Sequence, residues 1–266
     1  MVGLSDYIGP ASETYAGFAW EYLRRNQEYC ETYRQIIPAS SVLSQPNTLL
    51  IRHEHADDKL AQRWGLECFE DPLSGSLEAH VFWRQDAFPG ALSVQYQDVD
   101  SKNVNQDTFN LSNFDCQKQH YLRSDGTRIT VIKTENLWLQ LSGKPDEKAD
   151  AEQSFAVLIN GEKGARRRID ALRQLTSLSR DGLEDFKLLG RQKAFMRLRN
   201  GLKAYDIRLA GGSYKDIATA LFGVESVTNE WDYNGGYLKA RASRSFKFGE
   251  RMVAQDYQSL LPKKAI

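Results

Sequence analysis

Gly211-Gly212-Ser213-Tyr214-Lys215-Asp216-Ile217-Ala218-Thr219-Ala220-Leu221-Phe222-Gly223 reads as a short helix with both ends written in. Ser213 suits the N-cap, where its hydroxyl accepts from a free N–H of the first turn. Asp216, three residues on, completes a capping box and opposes the positive helix end. Ile217, Ala218, Leu221 and Phe222 fall on one face, and Gly223 can stop the helix in a left-handed conformation. The glycine pair before Ser213 ends a preceding helix in the same way. A helix this short does not hold in water by itself. It has to be the middle piece of a packed helical unit, and a DNA-binding helix-turn-helix variant is the expectation.

Longer helices flank it. Residues 182–209 carry Leu183, Phe186, Leu189, Met196, Leu198, Leu202, Tyr205 and Leu209 as the expected buried stripe. Gly190 and Gly201 weaken this stretch by ~1 kcal/mol each, and Gly190 is a candidate break. Downstream, 224–233 reads as a loop carrying Trp231. The last helix runs from about Gly235 to Gln255, with Tyr257, Leu260 and Leu261 folding back as a tail. Its inward stripe is Leu238, Ala242, Ser245/Phe246, Gly249 and Met252. Arg241, Arg244, Phe248 and Arg251 lie along an outward stripe, with Lys247 beside it. At ~30 Å the helix is long enough for a major groove, where Arg and Lys reach guanine edges and phosphates. Ala240, Ala242, Ser243 and Ser245 between the basic residues allow close approach. The candidate DNA-binding residues are therefore Lys239, Arg241, Arg244, Lys247 and Arg251. Lys203, Arg208 and Lys215 on the two preceding helices are candidates for phosphate contacts, which add affinity and register without reading sequence. The competing reading is a solvated basic face.

Charge supports the first reading. The chain of 266 residues has no net charge, but residues 1–190 hold 21 Lys+Arg against 28 Asp+Glu, and residues 191–266 hold 14 against 7. An asymmetry of this size points to a basic module with a polyanionic partner. The apolar fraction, 41%, is that of an ordinary globular chain large enough for one to three domains. No run approaches 18 apolar residues, and Met1 to Pro10 shows no secretory pattern, so no membrane partner and a cytoplasmic setting are expected. Cys30, Cys68 and Cys116 are odd in number and far apart, which argues against a disulfide framework or a Cys-rich zinc site.

The remainder divides into two parts. Tyr15 to Ile37 is expected as one aromatic-rich helix ended by Pro38, and Ala56 to Trp64 as a second, stopped by Gly65. The run Arg52-His53-Glu54-His55 is read as a solvated loop: metal-binding helices place His at i and i+4, and no third ligand is indicated. Glu78 to Trp83 is expected as one extended piece. From Ala91 the period changes to two. Leu92 to Tyr96 alternates; Gln119–Arg123 and Arg128–Ile132 flank the hairpin signal Ser124-Asp125-Gly126-Thr127. Asn136 to Leu141 puts Leu137, Leu139 and Leu141 on one face and Trp138 on the other. After a polar linker, 142–152, Phe155 to Ile159 suits a more buried strand. Residues 165–178 form a helix with Ile169, Leu172, Leu175 and Leu178 inward. The fold class is α+β: an N-terminal helical region (1–90), a small, mostly antiparallel sheet with its connecting helix (91–180), and a C-terminal helix-turn-helix variant (181–266).

No constellation carries catalysis. The sequence holds no G-x-x-x-x-G-K-S/T, no G-x-G-x-x-G after a strand and no G-x-S-x-G elbow, and its four histidines are scattered. The expectation is a non-enzyme with no cofactor.

The segment Tyr205 to Leu261, with Gly211 to Gly223, Glu230-Trp231 and Gly236-Tyr237-Leu238-Lys239-Ala240-Arg241, resembles the C-terminal helix-turn-helix variant of proteobacterial integrative and conjugative elements. That domain occurs in FseA-type activators of element excision and in QseM-type antiactivators. Tyr15 to Tyr33, especially Phe18 to Tyr29, is similar to the N-terminal domain that precedes it in the activators, so the order of parts is the activator's. The resemblance implies a transcriptional activator of excision and conjugative-transfer genes. Its partners would be promoter DNA, RNA polymerase and an opposing antiactivator protein. The alternative it implies is a protein-binding antiactivator that sequesters another transcription factor. One departure matters: twelve residues, Gly223 to Asn234, separate the two helices instead of three or four.

Overall fold

The computed structural model describes residues 13–36, 51–97, 109–114, 116–145, 154–159, 164–181, 192–231 and 236–262. The N-terminal region opens with α1 (Tyr15–Leu23) and α2 (Gln27–Ile36), two helices where the aromatic spacing predicts one. The break has a local cause. The Asn26 side chain accepts from the Tyr29 backbone N–H at 3.0 Å and so starts a new helix. β1 (Ile51–His53) follows, taking part of the expected loop, and then a 3-10 helix at Ala56–Trp64. His55 caps that helix: its ring nitrogen accepts from Asp57 N–H, and its own N–H donates to Asp58. Gly65 ends it at φ +78°, as expected. Glu78 to Trp83 is irregular instead of extended, touching strand geometry only where Trp83 bridges Leu66.

The sheet comprises β2 (Leu92–Gln97), β3 (Phe109–Asn110), β4 (Gln117–Leu122), β5 (Arg128–Lys133), β6 (Trp138–Gly143) and β7 (Ser154–Leu158), together with β1. The order is β1-β4-β5-β6-β2-β7-β3. β4 and β5 form the expected hairpin around Gly126, at φ +80°. Most pairs are antiparallel, but β1 on β4 and β2 on β6 are parallel, so the sheet is mixed and larger than anticipated. It is also covered on both faces. β5 is buried along its whole length: Ile129 and Val131 join one apolar cluster and Ile132 the other. In β6, Trp138 faces the first cluster, and Leu139 and Leu141, with Leu137 just before the strand, face the second, as the alternation requires. β7, expected to be the more buried strand, is exposed toward its end, with Leu158 37% exposed. α3 (Ala165–Asp181) closes the second face through Ala171, Leu175 and Leu178. Ile169, expected inward, is 40% exposed.

The C-terminal helices are α4 (Gln192–Leu209), α5 (Tyr214–Phe222), α6 (Val224–Glu230) and α7 (Tyr237–Ala254), ending in a 3-10 turn at Asp256–Leu260. The expected stripe residues Leu183, Phe186 and Leu189, and Gly190, lie outside the described residues. α6 replaces the loop expected at 224–233. Gly223 alone joins α5 to α6, at φ +90° and ψ 154°, a region that glycine occupies without strain. Gly223 thus stops α5 as expected, though not in the left-handed helical conformation.

The first cluster draws on the N-terminal region, the sheet and the C-terminal helices. Phe18, Trp20 and Tyr22 of α1 pack with Trp64, Phe82, Tyr121, Phe195, Leu198, Met252, Tyr257 and Leu260. Tyr15 meets the Phe195 ring edge-on at 5.2 Å, and Phe18 lies tilted against it at 5.5 Å. The aromatic residues of 15–33 are therefore packing groups for the most part, and Tyr257, Leu260 and Leu261 do fold back onto α1.

Candidate nucleic-acid interface

The site is built on the crossing of α4 and α7. Gly201 and Gly249 face each other there, both buried, and a Cβ on Gly249 would overlap the Gly201 carbonyl oxygen. Two glycines in helix interiors cost propensity, and here they permit backbone contact. A smaller cluster of Ala204, Ile207, Ile217, Ala218, Val227, Leu238 and Ala242 fixes α5 and α6 to the same pair. α5 begins with the expected capping box. The Ser213 hydroxyl accepts from Asp216 N–H at 3.2 Å, and the Asp216 carboxylate accepts from Ser213 N–H at 2.7 Å. Those hydrogen bonds hold the Asp216 carboxyl below its ordinary range.

With Leu238, Ala242, Gly249, Met252 and Val253 turned inward, α7 leaves Lys239, Arg241, Arg244, Lys247 and Arg251 exposed. Phe248 departs from the expected outward row. It packs over Gly201, with the Tyr22 ring edge-on at 6.5 Å. On α4 the buried stripe is Phe195, Leu198, Leu202, Ala204 and Ile207. Met196 and Leu209, expected inside, are 54% and 72% exposed. This rotation turns Lys193, Met196, Arg197 and Asn200 toward α7.

The two helices enclose a groove of about 900 Å³ lined by those four residues, Phe222, and Arg241, Arg244, Ser245, Lys247, Phe248, Glu250 and Arg251 of α7. Six lining side chains are cationic and one, Glu250, is a carboxylate. Among the described residues none of the six cations forms an ion pair. Two of them rest on rings instead: Arg197 on Phe248 at 4.3 Å, and Arg241 on Phe222 at 4.1 Å with Tyr237 at 5.6 Å.

The remaining candidates fall elsewhere. Lys203 is half-buried and its ammonium donates to the Ala220 carbonyl at 2.9 Å, closing the C-terminal end of α5. Arg208 donates to the Gly212 carbonyl at 2.7 Å and lies near the Tyr214 and Phe246 rings. Arg208 holds the α4–α5 turn and Lys203 ties α4 to the far end of α5; neither lines the groove. Lys215 is exposed on α5, also outside the groove. Sequence reasoning missed Lys193 and Arg197. Their i, i+4 spacing was a signal, but it acquires meaning only with the correct inward stripe.

Among the described residues no group of three or more His, Cys, Asp or Glu could hold a metal ion, and no helix is long and apolar enough to cross a membrane.

Residues 158–262 match the model of the RovC DNA-binding domain family, described as "T6SS, Transcription factor, DNA binding domain". Every residue of the groove falls inside that match. Residues 5–69, which span α1, α2, β1 and the first 3-10 helix, match a "Proteobacterial transcriptional regulator-like domain". Both matches are to transcription-regulator domains. They support a DNA-binding transcription regulator, with DNA as partner. No curated protein matches the chain.

Proposed function

We propose that the protein is a promoter-binding activator, of the kind that controls excision and conjugative-transfer genes of integrative elements, acting in the cytoplasm without catalysis. The observation that carries the reading is the convergence of six cations, without an ion-pair partner among the described residues, from two helices within the segment that matches a DNA-binding domain. Cationic walls in a concave site focus potential and draw a polyanion, and phosphate neutralisation supplies most non-sequence-specific affinity. α7 is the reading element, its spacing from α5 set by α6. RNA polymerase would be recruited at the promoter, and an antiactivator would act by covering the same helices.

The test is a duplex titration by fluorescence anisotropy across about 50 to 200 mM salt, using promoter fragments selected from host DNA. Affinity is expected to fall steeply with salt. Replacing Arg241, Arg244 and Arg251 together by Ala is expected to abolish promoter activation while the circular dichroism spectrum stays unchanged. Full activation by that variant would sink the assignment. If the protein retains a sister regulator in a pull-down and no duplex even at low salt, the antiactivator reading takes its place.

A further inference from the structure

We propose that the α4–α7 groove seats one sugar–phosphate strand of duplex DNA, with Lys193 and Arg197 of α4 clamping its phosphates against Arg244 and Arg251 of α7. The inference rests on the DNA-binding reading and goes past it by stating which part of the duplex lies where. Its first ground is shape. Base edges lie at the floor of a major groove ~12 Å wide and ~8.5 Å deep, so a convex element reaches them. A concave site takes a ridge, and the ridge of a duplex is its backbone. The convex part of α7 is the face outside the groove, where Lys239, Ala240 and Ser243 stand. With a strand seated in the groove, that face enters the adjacent major groove.

Charge and chemistry agree. Both walls are cationic, whereas arginines elsewhere, such as Arg24, Arg25, Arg63 and Arg123, sit in ion pairs. Arg197 is held ready: its guanidinium lies over Phe248, and Phe248 is fixed by Gly201 beneath it and Tyr22 at its edge. A stacked guanidinium loses less freedom when it takes up a phosphate than a free chain does. Met196, Phe222 and Phe248 in the same walls offer apolar surface to deoxyribose.

The experiment uses the full chain, wild type and Lys193→Ala, Arg197→Ala, the double variant and Arg197→Lys, titrated with a selected promoter duplex and a scrambled duplex of equal length. Each phosphate contact contributes about 0.9 to the slope of log affinity against log salt. The double variant is expected to lose close to 2 from that slope and to weaken on both duplexes by the same factor, at least tenfold at low salt. Arg197→Lys is expected to keep the slope, and melting temperatures are expected to stay put because both side chains are exposed. An unchanged slope overturns the clamp. So does a loss confined to the promoter duplex, since that would make these residues readers of bases. If wild type binds neither duplex but does bind an acidic peptide, the DNA-binding reading falls and the clamp falls with it.

Discussion

Gly249→Ala separates helix propensity from helix packing, because the two predict opposite signs. Alanine is better than glycine by ~1 kcal/mol in a helix interior, so propensity alone makes this variant more stable. At the α4–α7 crossing the added Cβ would overlap the Gly201 carbonyl oxygen and come within 3.0 Å of its carbon and 3.1 Å of Tyr205 Cβ. Overpacking costs ~1–3 kcal/mol. The cost here belongs at the upper end, since the obstacle is backbone and cannot rotate away. The net expectation is a loss of roughly 2 kcal/mol, or ~4–8 °C in Tm for a chain of this size. Thermal unfolding followed by circular dichroism reads it, with Ala240→Gly, exposed on the same helix, as the reference for propensity alone at ~1 kcal/mol. Forced apart, the helices would also widen the groove and weaken duplex binding. A Gly249→Ala protein that melts at or above wild type refutes the close crossing, and with it the placement of Lys193 and Arg197 opposite α7.

Two further outcomes follow from buried charges. Arg25 donates to both Asp206 oxygens, at 2.7 and 2.9 Å, and to Glu21. Burial pushes the Glu21 carboxyl up, but Arg24 and Arg25 outweigh it and hold it below its ordinary 4.5, so its stabilisation is present above that value and is lost as pH falls through the lowered one. Arg25→Met leaves two carboxylates without this partner and is expected to cost ~3–5 kcal/mol at neutral pH. Urea titrations should show the deficit shrinking below pH 4.5; a deficit that is constant with pH would refute the ion-pair account. Lys133, buried in β5 with its ammonium donating to the Ser76 and Ala79 carbonyls, is pushed down to about 8 by burial, against the pull of Glu70 and Glu78. The native state then binds fewer protons than the unfolded chain between about 8 and 10.5, so stability rises with pH there, by at most ~3 kcal/mol. Lys133→Met should lack that rise, and equal slopes for variant and wild type from pH 8 to 10 would show that the ammonium is solvated.

What could be read from the sequence was what is encoded within a few residues. The Ser213–Asp216 box, the Gly65 stop and the Gly126 hairpin each follow from a side chain or a backbone freedom acting locally. The α1–α2 break at Asn26 was of the same kind and legible in principle, but the aromatic period continuing across it masked the cap. The rest depends on partners far along the chain. β5 is bounded by Arg128 and Lys133, which look like solvent-facing ends, yet both are buried, Arg128 over the Tyr96 ring at 4.3 Å and Lys133 on two carbonyls. Burial of a sheet on both faces is set by what covers it. The α4 stripe takes Phe195 in place of Met196 while Leu198 and Leu202 stay inside; either residue fits a helical period, and the packing of Tyr15 and Phe18 against Phe195 chooses between them.

That choice ties the two matched segments together physically. α1 belongs to the regulator-like segment, yet it packs on the helices of the DNA-binding segment. The Tyr22 hydroxyl donates to the Leu198 carbonyl at 2.8 Å, Asn26 donates to the Val253 carbonyl at 2.9 Å, and Arg25 binds Asp206. These contacts fall one on α7 and two on α4, the two walls of the groove. Tyr22 also abuts Phe248, the ring on which Arg197 rests. The rotation of α4 that exposes Lys193 and Arg197 is therefore held from outside the DNA-binding segment. A groove lined by six cations repels itself, and fixing its walls against that repulsion requires buried packing on the far side. α1, with Phe18, Tyr22 and Leu23 almost wholly removed from solvent, supplies it.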